Sequence, residues 1–200
     1  MTTVLLVLAG YLAGSVPSGY WLVRLTHGVD VRTLGSGNIG ASNVWRTFGR
    51  RYGLPVALLD IAKGFAPALA ATLLVGHLAG AAAGAAAMLG HWRPLFLGFR
   101  RGGKMVATCG GAFLGVAPVL GLLGAAAWVV VFALSRYASL ASILAALSLP
   151  AIAVALGEPW PVIALAGAAA VGVALLHRAN VTRLLRRTER RFEFRRPARA

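Results

Sequence analysis

The sequence predicts an all-α, polytopic integral membrane protein, and three observations lead to this prediction. Hydrophobic residues fill 58% of the 200 positions, and the mean hydropathy is +0.76. Only 12% of the residues are charged, and they stand between apolar runs long enough to cross a bilayer as helices. The net charge is +15. A basic soluble protein that binds nucleic acid would spread such charge over a polar surface, so we expect no nucleic-acid partner.

Seven hydrophobic segments follow one another along the chain, and each is expected to form a helix. The first has no positive residues before it and no small-residue cleavage site, which favours an uncleaved span over a signal peptide. Two segments are short for a full crossing, so a re-entrant pair stays open. The segments are residues 3–23, 54–75, 76–90, the two halves of 106–134 on either side of Pro118, 139–156 and 160–176.

The distribution of Lys and Arg predicts the orientation of these helices. If the run 106–134 turns back at Pro118, every loop that carries Lys or Arg lies on one face of the membrane. The opposite face then has only uncharged or acidic turns, at residues 76–77, 117–118 and 157–159. The positive-inside rule therefore places the N-terminus outside and the C-terminus in the cytoplasm. We expect one domain over residues 1–200, with a basic tail from about residue 177.

Two glycine-containing stretches on the basic face are typical of anion sites. The first glycine loop, residues 34–43, has glycines that let backbone N–H groups converge, and neutral donors with Arg46 following. No strand precedes it, so its G-x-G-x-x-G pattern does not indicate a nucleotide fold. The second glycine loop, residues 98–105, resembles a P-loop until Met105 stands where Ser or Thr should hold magnesium. Lys104 before an apolar helix still predicts an anion site.

Other polar residues allow both a structural and a functional interpretation. Asp60 and Lys63, three residues apart on one helical face, form either a structural pair or a functional one. His177 and Asn180 have the same spacing, and His177 is either an interfacial anchor or a proton-transfer group. The four histidines are scattered, so no metal site is expected.

Taken in order, these motifs resemble the bacterial membrane acyl-phosphate:glycerol-3-phosphate acyltransferases over essentially the whole chain. The motifs that carry the resemblance are residues 14–20, 35–46, 59–64, 90–94, 102–108, 135–142, 177–185 and 188–189. The sequence departs from the family pattern at Met105 and Arg187, where glycines are usual, and in a stretch 99–104 that is one residue longer. It has no H-x-x-x-x-D pair of the kind that acyl-CoA-dependent glycerolipid acyltransferases carry.

The resemblance implies the transfer of a fatty acyl group from acyl phosphate to the 1-hydroxyl of glycerol 3-phosphate. Lysophosphatidic acid and inorganic phosphate would be the products, and no cofactor is implied. It also implies seven helices in the bacterial plasma membrane, with the active site facing the cytoplasm. The expected partners are the two substrates, membrane lipids and an enzyme of lipid synthesis that supplies acyl phosphate.

The resemblance also implies roles for individual residues. Acyl phosphate would be bound by Ser36, Gly37, Asn38, Gly40, Ala41, Ser42 and Asn43. Glycerol 3-phosphate would be bound by Arg46, Gly102, Gly103, Lys104, Ser142, His177 and Asn180. The expected catalytic residues are His177, Asn180, Lys104 and Ser36, and the expected structural polar residues are Asp60, Lys63 and Glu189.

Two other functions stay open at this point. A transporter or channel for a phosphorylated metabolite could use Asp60, Lys63 and Arg46 along its path. The polar residues crowd one face instead of crossing the membrane, which weakens that alternative. A non-catalytic, lipid-binding relative of the family is the second one.

Overall fold

The structure is a computed structural model, and it describes residues 1–192. Those residues form helices and connecting loops with no strand, so the all-α prediction is confirmed for the described part of the chain. The end of the predicted basic tail, residues 193–200, lies outside the described residues. The α-helices are α1 Thr2–Gly14, α2 Ser18–His27, α3 Ala41–Phe48, α4 Arg50–Val75, α5 His77–Trp92, α6 Val106–Val116, α7 Pro118–Ser135, α8 Ala138–Ala155, α9 Trp160–Leu176 and α10 Arg178–Leu185.

The apolar segments of the sequence coincide with helices, although their bounds differ. The first segment is broken at residues 15–17, so that α1 and α2 are separate helices and α2 continues to His27. By length and composition, four stretches of the described chain suit a membrane crossing: 2–27, Arg50–Val75, Pro118–Ser135 and Ala138–Ala155. Helices α9 and α10, bent by 59° at their junction, would make a fifth. Helices α5 and α6 are shorter, at 16 and 11 residues.

Glycines let the helices at the centre of the bundle touch backbone to backbone. A Cβ on Gly64 of α4 would lie 2.1 Å from the Thr108 carbonyl oxygen of α6. A Cβ on Gly111 of α6 would lie 2.0 Å from the Ile61 carbonyl oxygen of α4. Lipid gives no hydrophobic drive for helices to associate, so such close van der Waals contact is what holds α4 and α6 together.

Two separate clusters of buried apolar side chains position the loops at one end of the bundle. The larger cluster lies between α4, α5, α6, α7, α8 and α9 and includes the fully buried Phe113 and Leu120. The smaller cluster packs Val31, just before the first glycine loop, and Ile39, within that loop, together with Val56 of α4. The first glycine loop is therefore anchored to the membrane helices by apolar residues before and within it.

Candidate active site

A single buried amide organises the first glycine loop. The Oδ1 atom of Asn43 accepts a hydrogen bond of 2.9 Å from the Ser36 N–H. Its Nδ2 donates to the carbonyl oxygens of Leu34, at 3.1 Å, and Asn38, at 2.9 Å. Every polar atom of this amide is thus engaged within the loop, and Asn43 is only 4% exposed. The resemblance implies that Asn43 belongs to the acyl-phosphate site, and in the structure its side chain shapes the loop of that site.

The loop leaves other donors at its surface. Gly37 has φ +68°, a left-handed conformation that favours glycine, and Ser36 and Ser42 are exposed. Ala41 and Ser42 begin α3, where the first N–H groups of a helix have no partner within the helix. Backbone and hydroxyl donors in this arrangement suit a phosphate group.

The second glycine loop folds back onto the end of α5. The Gly102 N–H donates to the Trp92 carbonyl oxygen and the Gly103 N–H donates to the His91 carbonyl oxygen, each at 2.9 Å. The Asn38 side chain joins the two glycine loops, because its Nδ2 lies 3.4 Å from the Gly102 carbonyl oxygen. The two predicted anion-binding loops therefore meet in space, although 64 residues separate the bonded groups.

Met105 ends the second glycine loop in a left-handed conformation, with φ +66°. This is the position at which the family pattern has glycine, and the backbone conformation is one that glycine adopts without cost. The Met105 side chain is 5% exposed and belongs to the larger apolar cluster. The chain thus keeps the glycine-like turn with a residue whose side chain packs in the core.

A polar network joins the second glycine loop to the C-terminal part of the chain. Lys104 Nζ donates to Asn180 Oδ1 at 2.5 Å, and Asn180 Nδ2 donates to Glu189 Oε1 at 2.7 Å. Glu189 Oε1 also accepts from the Ser139 hydroxyl at 2.7 Å, and Oε2 accepts from Arg183 Nε at 2.6 Å. The amide of Asn180 therefore has its orientation fixed from both sides.

Burial and neighbouring groups shift the pKa values of the charged residues in this network. Burial raises the pKa of Glu189, but the hydrogen bonds from Asn180, Ser139 and Arg183 outweigh it, and the net result is a lowered pKa. Burial and the nearby Arg183 charge lower the pKa of Lys104 to about 8. Glu189 is therefore ionised at neutral pH, and Lys104 is mostly cationic.

His177 lies at the junction of α9 and α10, and is 4% exposed. His177 and Asn180 do not lie on one continuous helix, because α9 ends at Leu176 and α10 begins at Arg178. His177 Nδ1 lies 2.8 Å from the Val173 carbonyl oxygen, which can only accept, so Nδ1 carries the proton and Nε2 has the free lone pair. Burial and the Lys104 charge lower the pKa of His177 to about 4, so the ring is neutral at pH 7.

The guanidinium of Arg46 lies over an aromatic ring from the C-terminal segment. Its Cζ atom is 5.5 Å from the centre of the Phe192 ring, and its buried Nε has no hydrogen-bond partner among the described residues. Phe192 is 5% exposed and contacts the Trp45 and Phe132 rings edge to face. Arg46 is thus a partly buried cation with a donor group still to satisfy.

The remaining predicted polar residues occupy distinct places. Asp60 and Lys63 form a buried ion pair of 2.7 Å within α4, as a structural pair would. The Ser142 hydroxyl donates to the Ala138 carbonyl oxygen at 2.6 Å and accepts from Trp128 Nε1 at 3.1 Å. Within the described part of the chain, Ser142 makes no hydrogen bond to the network around Lys104.

Several contacts at the site were not predicted from the sequence. One of them is the ion pair of 2.6 Å between Arg183 and Glu189. Phe192 was not identified, although an aromatic residue within an arginine-rich tail is a signal for a docked segment. The contact of Phe192 with Arg46, and that of Trp128 with Ser142, join residues far apart in the chain and leave no local pattern.

Comparison with known proteins places the chain beside one set of relatives. Residues 4–187 match the family described as glycerol-3-phosphate acyltransferase. The glycerol-3-phosphate acyltransferase of Desulforudis audaxviator is 42% identical over 200 residues, with 98% of each chain covered. The protein of the same description from Sinorhizobium medicae is 46% identical over 191 residues, with 95% of this chain and 92% of the relative covered.

Two crystal structures have the same fold. One is PlsY, an integral membrane glycerol 3-phosphate acyltransferase, in its glycerol 3-phosphate form, with a TM-score of 0.92 at 40% identity and 96% of each chain covered. The other is the lysophosphatidic acid form, with a TM-score of 0.90 at 39% identity and 97% of each chain covered.

Proposed function

Because the chain belongs to the glycerol-3-phosphate acyltransferase family, we propose that it transfers a fatty acyl group from acyl phosphate to the 1-hydroxyl of glycerol 3-phosphate. The products are lysophosphatidic acid and inorganic phosphate, and the reaction uses no cofactor. The observation that carries the proposal is the network in which Lys104, Asn180 and Glu189 lie in one hydrogen-bonded chain, joined through Asn38 to the first glycine loop.

The glycerol 3-phosphate subsite uses fixed cations around that network. Lys104 and Arg46 supply positive charge, and the Nε of Arg46, which has no partner within residues 1–192, is a donor for a phosphate oxygen. Glu189 holds Asn180 and Arg183 in place without contacting substrate. His177, Gly102, Gly103 and Ser142 complete the subsite; Ser142 does so after its present bond to the Ala138 carbonyl oxygen is exchanged.

The acyl phosphate subsite is the first glycine loop. The exposed hydroxyls of Ser36 and Ser42 and the backbone N–H group of Ala41 meet the donor phosphate. The N–H groups of Gly37 and Gly40 join them after their present bonds, to the Leu34 carbonyl oxygen at 3.0 Å and to Asn38 Oδ1 at 2.8 Å, are exchanged. Asn38 and Asn43 keep the loop in shape. Since Asn38 bonds the second glycine loop directly, the two phosphates are held at adjacent sites, and this proximity supplies a large part of the rate enhancement.

Direct attack accounts for the chemistry with the groups present. The substrate hydroxyl oxygen bonds to the acyl carbonyl carbon, and the bond from that carbon to the phosphate oxygen breaks. His177 Nε2, free because Nδ1 is engaged, accepts the hydroxyl proton or passes it to the departing phosphate. Lys104 and Asn180 stabilise developing negative charge. The substrate phosphate brings negative charge beside His177 and raises its pKa, making the ring a better base than in the empty site.

The topology follows the same reasoning. We place the protein in the bacterial plasma membrane as one domain of seven hydrophobic helices over residues 1–200, with the N-terminus outside. The active site then faces the cytoplasm, because the loops that carry Lys and Arg are the ones that meet at the site. Cysteine-labelling of single variants at Gly76 and Arg101 from the two sides of sealed vesicles tests this arrangement. Labelling of both positions from the same side contradicts it.

The activity is tested with purified protein in detergent. Acyl phosphate and glycerol 3-phosphate are supplied together, and lysophosphatidic acid and inorganic phosphate are measured in equal amounts. We expect turnover with acyl phosphate and none with acyl-CoA. His177→Ala is expected to reduce kcat by about 10²–10⁴-fold, the range of general-base catalysis. Near-full turnover of His177→Ala at saturating substrate excludes His177 as the base.

Vesicle experiments separate the enzyme from the alternatives. Uptake of labelled glycerol 3-phosphate into sealed vesicles without acyl phosphate indicates a transporter. Binding of lysophosphatidic acid with no turnover on either acyl donor indicates a non-catalytic lipid-binding protein. The proposed enzyme gives neither result.

A further inference from the structure

A buried polar cluster lies beneath the second glycine loop, outside the network around Lys104. Asp60 and Lys63 of α4 and His91 of α5 are 2%, 8% and 3% exposed. Lys63 Nζ lies 2.7 Å from Asp60 Oδ1 and donates at 2.9 Å to the Val16 carbonyl oxygen, at the break between α1 and α2, which also accepts from the Ser18 N–H at 3.0 Å. Lys63 is therefore held by the Asp60 carboxylate and by the backbone of Val16.

The imidazole of His91 stands between this ion pair and the second glycine loop. Its Nδ1 atom faces Asp60 Oδ1 at 3.7 Å. Its opposite edge lies directly against Gly103, because a Cβ built on Gly103 would come 1.8 Å from His91 Nε2 and 2.4 Å from Cε1. No residue other than glycine fits at position 103 while the ring stays where it is.

The backbone of His91 also contacts the second glycine loop. The Gly103 N–H donates to the carbonyl oxygen of His91 itself, at 2.9 Å, so both the ring and the main chain of one residue hold the loop. Gly102 and Gly103 have no side chains with which to anchor themselves. The position of Lys104, the next residue, therefore depends on what the loop rests against.

We propose that His91 is a positioning residue, whose ring, packed between the Asp60–Lys63 pair and Gly103, sets the position of the second glycine loop and so places the Lys104 ammonium for glycerol 3-phosphate. This inference rests on the proposed function of Lys104. Misplacement of a binding group by about 1 Å can reduce activity about 10²-fold, so a ring-sized gap beneath the loop has a measurable effect.

Steady-state kinetics of His91 variants test the proposal. In His91→Ala the loop loses its support, and the KM for glycerol 3-phosphate is expected to rise at least tenfold, with the KM for acyl phosphate changed less than threefold. His91→Phe restores a ring against Gly103 and is expected to keep the KM for glycerol 3-phosphate within threefold of wild type. If His91→Phe is as impaired as His91→Ala, the ring does not act as the support, and the proposal is wrong.

A double variant tests whether His91 acts through Lys104. If it does, His91→Ala adds less than twofold to the KM increase already caused by Lys104→Ala; a full multiplicative increase overturns the proposal. His77→Ala, at the exposed opposite end of α5, is the matched control and leaves both KM values unchanged.

The single variants also distinguish the binding role of Lys104 from the positioning role of His91. If Lys104→Ala leaves the KM for glycerol 3-phosphate unchanged, the assignment of Lys104 to that substrate fails. If Lys104→Ala raises this KM and His91→Ala does not, only the positioning role fails.

Discussion

Met105→Gly, just before α6, changes the free energy of unfolding through contributions of opposite sign. With φ +66°, Met105 adopts a left-handed conformation that costs a non-glycine residue about 1–2 kcal/mol, and glycine relieves that cost. Its side chain is 5% exposed, and truncation of such a buried methionine costs about 2–5 kcal/mol. Glycine also gives the unfolded chain more freedom, worth about 0.4–1 kcal/mol. Packing therefore outweighs strain, and we expect a net loss of about 3 kcal/mol.

Thermal unfolding of the purified protein in detergent, followed by tryptophan fluorescence, measures this loss. For a chain of this length it corresponds to a Tm about 6–12 °C lower. Met105→Leu, which keeps both the strain and most of the volume, is the control and costs less than about 1.5 kcal/mol. If Met105→Gly is as stable as wild type, the strain energy relieved equals the packing energy lost, which contradicts the expected net loss.

A second-site variant tests the packing contribution of the Met105 side chain. A Cβ on Gly172 of α9 would lie 2.8 Å from the Met105 methyl group, the flexible end of the side chain. In the Met105→Gly background that methyl group is gone, so Gly172→Ala fills part of the space. We expect Gly172→Ala to raise the Tm of Met105→Gly by more than it changes the Tm of wild type. An equal effect in both backgrounds shows that the two positions are not coupled.

Three further outcomes follow from the site and the helix contacts. The pKa of Lys104 is lowered to about 8, while a phosphate monoester is a dianion above a pKa of ~6, so kcat/KM for glycerol 3-phosphate should fall above pH 8. Lys104→Arg should move this fall to higher pH; a fall at the same pH shows that deprotonation of Lys104 is not its cause. Glu189→Gln puts an amide where three donors meet, so the free energy of unfolding should fall by about 2–3 kcal/mol and the Tm should drop with it; an unchanged Tm contradicts the network. Gly64→Ala would place a Cβ against the Thr108 carbonyl oxygen, so we expect no folded protein by size-exclusion chromatography. The control Gly110→Ala, where a Cβ meets open space, should fold normally; equal yields of the two variants contradict the α4–α6 contact.

Local sequence was sufficient to predict the apolar helices and the two glycine loops. Hydropathy and charge determine where a chain can enter lipid, and glycines with short polar side chains indicate loops that can approach an anion. Asp60 and Lys63 were likewise predictable as a pair, since residues three apart share a helical face.

The sequence could not predict contacts that depend on the packing of distant segments. Asn43 has the composition of a substrate ligand, and only the folded loop shows that its amide is used up by Ser36, Leu34 and Asn38. His91 lies at the end of an Ala- and Gly-rich helix, and its contact with Gly103 appears only once the second glycine loop folds back. The docking of Phe192 on Arg46 arises in the same way.

The central claim is that two linked loops hold both phosphates together, so that the acyl group passes directly between substrates. Release of inorganic phosphate from acyl phosphate by purified protein, measured with and without glycerol 3-phosphate, tests this most directly. We expect release only when glycerol 3-phosphate is present, with initial rates that give intersecting double-reciprocal plots. A stoichiometric burst of phosphate without glycerol 3-phosphate, together with parallel plots, would show an acyl-enzyme and contradict direct transfer.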